Sequence, residues 1–138
     1  MPTVPANING VLVEFSPNVN KSVDQRIIGA LKYVVKTSIA TGHVLNKIYI
    51  SSANDQHIAP SRHVQGAGKA IDISRINGMK MSVFYPTNPK VKAIVDAMQT
   101  RFESYPYRRE NFGPLFKKKL GNSHAVSGHG DHIHFSVN

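Results

Sequence analysis

Over residues 132–137 apolar and polar side chains alternate. Ile133, Phe135 and Val137 fall on one side, and His132, His134 and Ser136 on the other. A period of two belongs to a β-strand that packs one face on a core, and it puts both histidines on the opposite face. Residues 70–74 repeat the pattern: Ile71 and Ile73 point one way, and Ala70, Asp72 and Ser74 the other. Two strands therefore each offer a ligating side chain on a polar face. His63 stands just upstream, in a loop whose glycines, Gly66 and Gly68, let the backbone pass close to that face. Two histidines and one aspartate, with a fourth position open, form the ligand set of a catalytic zinc site.

The rest of the chain supplies a frame. Val11, Val13 and Phe15 alternate as an edge strand within residues 1–20, which are otherwise rich in Pro and Asn and are expected as an N-terminal arm. Ser22, with Gln25 three positions on, reads as a capping box. The helix that follows gathers Ile27, Ile28, Leu31, Val34, Val35 and Ile39 on one face and ends at Gly42. Residues 47–51 form a strand. Asn77-Gly78 marks a hairpin turn, with residues 79–85 as the returning strand. Asn88 and Pro89 start a second helix, whose stripe is Val91, Ile94, Val95, Met98 and Phe102. Residues 105–130 read as a basic, aromatic loop region. The expected fold is a single α+β domain over residues 1–138, a small antiparallel sheet with helices packed on one face.

Composition narrows the function classes. Lys and Arg number 17 against 8 acids, a formal charge of +9, which favours polyanionic partners. The basic residues are scattered apart from Arg108–Arg109 and 117–119, and no nucleic-acid motif accompanies them, so no specific nucleic acid is expected. Cysteine is absent, which excludes disulfides and thiolate metal sites. No apolar run approaches the roughly 18 residues of a membrane span. The N-terminus lacks the basic head and apolar stretch of a secretory signal.

Of the eight carboxylates, Asp24, Asp96 and Glu103 fall on helices and Glu14 in the arm, leaving Asp55, Asp72, Glu110 and Asp131 for a site. Asp131 stands three residues before His134, where it can take a proton from water activated by zinc; His132 can steady the water or a developing oxyanion. His43 and His124 read as surface or satisfied core residues, and His129 has no assigned role.

The stretch SRHVQGAGKAIDIS resembles the S-x-H-x-x-G-x-A-x-D signature of zinc D-Ala-D-Ala carboxypeptidases and L-alanyl-D-glutamate endopeptidases, a group that also takes in lysostaphin-type enzymes and the hedgehog signalling domain. GHGDHIHFSV resembles that family's closing motif. The resemblance covers roughly residues 57–78 and 110–137 and implies a hedgehog/D-Ala-D-Ala-peptidase-like fold. It implies one zinc ion per chain, with ligands His63, Asp72 and His134, Asp131 as general base and His132 as a second-sphere or transition-state group. Two departures stand out. The interval from His63 to Asp72 is longer than the family's, and the arginine that many members use for the substrate carboxylate is missing from SSANDQH. Arg62, Arg75 or the amides of Asn54 and Gln56 are the candidates to replace that arginine; His57 is a candidate to line the cleft, and Asp55 with His57 is the reserve ligand pair should His63 not be a ligand.

The resemblance implies a zinc peptidase acting on bacterial peptidoglycan; a monomer is expected, and the positive charge is expected to hold it on anionic wall polymers. A phage endolysin would work from the host cytoplasm outward to the wall; a virion-associated protein would arrive with the particle. The rival expectation is a non-catalytic phage structural or polyanion-binding module that keeps the metal as a structural element.

Overall fold

The computed structural model describes residues 1–54 and 67–138. They form a mixed α/β structure with a nine-stranded, mostly antiparallel sheet and three helices. In chain order these are β1 (Asn7–Ile8), β2 (Val11–Phe15), α1 (Gln25–Val34), β3 (Lys47–Ser52), β4 (Ala70–Ile76), β5 (Met79–Lys80), α2 (Met81–Phe84), α3 (Pro89–Phe102), β6 (Arg108–Phe112), β7 (Lys117–Lys119), β8 (Asn122–Ser123) and β9 (Ile133–Val137). The strand order is β1-β2-β3-β4-β9-β6-β7-β8, with β5 paired to β4.

Several expectations change. Residues 1–20 are not an arm: they supply β1 and β2, and Val4, Ile8, Val11 and Val13 are buried in the core. Strand β2 is no edge, because it pairs with β1 on one side and runs parallel to β3 on the other, so the sheet is not wholly antiparallel. The capping box does not form. Ser22 is bridged to Thr3 and the Val23 N–H donates to Pro2 O, so the chain is still extended there. Asp24 is the cap instead, its carboxylate accepting from the Arg26 N–H at 2.8 Å.

Helix α1 stops at Val34, well before Gly42. The Asn9 side-chain amide donates to Lys32 O at 2.9 Å and Val35 O at 3.0 Å, satisfying carbonyls that end the helix. Helix α3 starts as read, with Asn88 Oδ1 accepting from the Lys90 and Val91 N–H groups. The hairpin at Asn77-Gly78 has both residues at positive φ, but its return strand lasts only two residues before Met81 turns inward at the start of α2.

The core lies between α1, α3 and one face of the sheet. Ile27, Leu31, Ile94 and Phe102 meet Ile48, Ile50, Ile71, Ile73, Ile133 and Phe135 there, all fully buried. Each such side chain contributes about 1.5–3 kcal/mol. Phe102 and Phe135 stack at 4.1 Å between ring centres, joining α3 to β9. Residues 105–130 are not a loop region, since they contain β6, β7 and β8. Asn111 takes the inward position on β6, where an apolar residue would be expected. Its amide donates to Gln99 O and Glu103 Oε2, both at 2.8 Å, and the Gln99 amide donates back to Asn111 Oδ1 at 3.0 Å.

Candidate metal centre

The site lies on the sheet face away from α1 and α3. Alternation turns Ile71, Ile73, Ile133, Phe135 and Val137 into the core and leaves Asp72, His134 and Ser136 on the other side. Register then lines up a row across five strands: Ser52 opposite Asp72, Asp72 opposite His134, His134 opposite Phe112, and Phe112 opposite Lys117. Strand β9 differs from a half-buried strand in one respect: its polar face is covered too, with His134 8% exposed and Ser136 not exposed at all. Neighbouring rings provide part of that cover. Phe112 stacks with His134 at 5.6 Å, and His129 meets His134 edge-on at 5.6 Å.

His134 is held at both nitrogens. Nδ1 lies 2.8 Å from Asp72 Oδ1 and Nε2 lies 3.0 Å from Glu110 Oε1. Burial alone would lower the pKa of His134. Hydrogen bonds to Asp72 and Glu110, reinforced by their charges, outweigh burial and raise it to about 9. For Glu110 burial pushes upward, but hydrogen bonds from His134 and Ser136 and the nearby positive charges of His134 and Arg109 bring it down to about 2.

Asp131 and His132 directly precede β9. Asp131 Oδ1 is 2.7 Å from His132 Nδ1, and the Asp131 side chain is 66% exposed. That hydrogen bond holds the Asp131 carboxyl below its ordinary pKa. The His129 ring, 4.9 Å from that of His132, links this pair to His134. His129 sits at φ +66°, and its Nδ1 faces Ser127 O at 3.2 Å. Burial, then the charges of His132 and His134, lower its pKa. His124 stacks on Phe112 at 5.6 Å although it is exposed. Lys117 steadies this segment: its Nζ donates to Val126 O at 2.6 Å, and its carbonyl accepts from the His124 N–H.

Among the expected ligands, Asp72 and His134 are brought together. His63 lies outside the described residues, as do Arg62, His57 and Gln56. Asn54, expected to help bind the substrate carboxylate in place of the missing arginine, is buried at 2% exposure just beyond β3, its N–H donating to Asn20 O. Among the described residues no three His, Asp or Glu side chains converge as a metal cage. The donor chemistry at Asp72 and His134 fits a divalent ion all the same: an anionic oxygen and an imidazole nitrogen face each other, and a second carboxylate holds the far side of the ring, as around metal-ligating histidines generally.

Glu110 is among the acids that the sequence leaves for a site, though with no role attached, and His129 has none. A loop reading of residues 105–130 gives no face on which to place Glu110, whereas in β6 it shares the face of Phe112. Compared with protein-family models, curated proteins and solved structures, the chain matches none of them.

Proposed function

We propose that this chain is a zinc peptidase of the hedgehog/D-Ala-D-Ala-peptidase-like fold that hydrolyses a peptide bond in the stem peptide of bacterial peptidoglycan. The observation that carries the reading is the Asp72–His134 pair, in register on adjacent strands with Oδ1 and Nδ1 2.8 Å apart, with the hydrogen-bonded Asp131–His132 pair just before β9. The motif resemblance supplies the reaction class. His63, Asp72 and His134 would hold one zinc ion, which when bound supplies Lewis-acid polarisation of a carbonyl and acidification of water.

The chain's own groups do the rest. Asp131, ionised and exposed, accepts the proton of the attacking water and returns it to the leaving amine. His132, its Nδ1 anchored on Asp131, turns Nε2 toward the substrate and steadies the oxyanion. The charge of +9 holds the protein on anionic wall polymers. The setting is the bacterial wall, reached by a monomeric phage lysis protein or a virion component. No helix among the described residues is long and apolar enough to cross a membrane.

Purified peptidoglycan incubated with the protein, with and without a chelator, tests this by mass spectrometry of the released peptides. Chelator-sensitive release is expected. Loss of one D-Ala identifies a carboxypeptidase, and a new D-Glu amino terminus an endopeptidase. Zinc uptake with no release from several wall types would overturn the reading in favour of a non-catalytic, polyanion-binding phage module.

A further inference from the structure

We propose that Glu110 is the positioning residue of the metal centre, fixing the His134 ring so that Nδ1, and not Nε2, is the nitrogen offered to the ion. The inference rests on the metal reading above and adds to it the geometry of one ligand. A neutral imidazole has a single lone-pair nitrogen, and its other nitrogen carries the proton. Nδ1 faces Asp72 Oδ1 at 2.8 Å, so it is the nitrogen able to share an ion with Asp72. Nε2 faces Glu110 Oε1 at 3.0 Å, so in the tautomer that leaves the Nδ1 lone pair for the ion its proton goes to Glu110. The Phe112 ring, stacked 16° from parallel, restrains the plane between these two anchors.

Glu110 is itself built into place. Its N–H donates to Ser136 Oγ at 2.9 Å, and Ser136 is fully buried. Strand β6 also carries an irregularity that aims it. Arg108 opposes Val137, yet Asn111 opposes Phe135 and Phe112 opposes His134, so β6 has one more residue than β9 over this interval. If the Arg108–Val137 register ran on unbroken, Glu110 would oppose Phe135 and turn toward the core. The bulge puts Asn111 there instead and leaves Glu110 beside His134. Bulges re-aim side chains in this way next to functional sites.

The test uses the full chain, labelled with 15N-histidine and loaded with zinc. Long-range 1H–15N correlations report which nitrogen of His134 carries the metal and which the proton. The expected result is metal on Nδ1 and a slowly exchanging proton on Nε2. Competition with a chromogenic chelator gives the affinity. Glu110→Ala is expected to weaken zinc by about 10–100-fold and to speed exchange of the Nε2 proton. Glu110→Gln keeps an acceptor and is expected to retain the proton signal with a smaller loss. Metal on Nε2 overturns the proposal alone, as does an Ala variant with unchanged affinity and an intact proton signal. Failure of the wild-type chain to take up zinc overturns the metal reading together with it. Should Glu110→Ala not fold, the wild-type nitrogen assignment and the Gln variant decide.

Discussion

Asp72 and His134 are register partners on adjacent strands, and the carboxylate of one lies 2.8 Å from Nδ1 of the other. Without metal, that contact and the one to Glu110 make His134 a buried imidazolium between two carboxylates. The metal-free chain should therefore have a pH-dependent stability set by this triad. The raised pKa of His134 gives a contribution that is complete below 6.5 and lost as pH rises through about 9. The depressed pKa of Glu110 gives one that is complete above 4.5 and lost as pH falls toward about 2. Urea midpoints measured in chelator should peak between those limits and fall on both sides. A profile flat from neutral pH to 9 would show that the triad does not form.

Removing Gln99 should loosen β6 from α3. Its buried side chain donates to Asn111 Oδ1 and Phe116 O and accepts from the Leu115 N–H, all at 3.0 Å. Gln99→Leu keeps much of the volume and orphans these groups, at about 1–3 kcal/mol for each one left unsatisfied. Thermal unfolding reads the loss, and an unchanged midpoint would mean that water or a rearranged Asn111 replaces the amide. Gly113→Ala should act on the same network, because a Cβ there runs into the Gln99 amide.

Asp131→Asn should leave zinc affinity near wild type and lower turnover of peptidoglycan by about 10²–10⁴-fold, the range of general acid–base catalysis. The Asp131–His132 hydrogen bond makes His132→Gln the informative companion. If Asp131 is the base, the Asn variant is the more damaged of the two; a larger loss in the His132 variant would assign the proton transfer to His132, oriented by Asp131.

Retention on cell walls should fall with salt. The formal charge of +9 acts over a Debye length of about 10 Å at 0.1 M ionic strength and only about 3 Å at 1 M. Co-sedimentation with walls across a salt series checks this, and salt-independent binding would remove the electrostatic account.

The alternation of Ile71–Asp72–Ile73 and Ile133–His134–Phe135 was readable because apolar residues mark the inward face of each strand. The same holds for the stripe of α3 and its Asn88 cap. Strand β6 gave no such mark. Its inward position is Asn111, made compatible with burial by Gln99, a partner twelve residues away. A hydrogen-bonded polar residue in the core is indistinguishable in sequence from one in a loop. The bulge that directs Glu110 is equally silent, because it is a property of how β6 meets β9. The start of α1 was misplaced for a related reason: contacts from Pro2 and Thr3 hold residues 22–23 extended, against the local capping signal.

Strand β9 lies between β4 and β6, near the middle of the sheet, yet it is the last of the nine to leave the ribosome. Until it emerges, β4 and β6 have open edges facing each other, and the nascent chain lacks both Phe135 and His134. Order in the sheet centre must therefore await the end of this segment, through contacts between residues far apart in sequence, which slows folding. Unpaired edges in such an intermediate invite association with other chains. A ribosome stalled before residue 133 would hold a product with neither a closed sheet nor a metal site, so the activity proposed for this protein would switch on only after synthesis has passed β9.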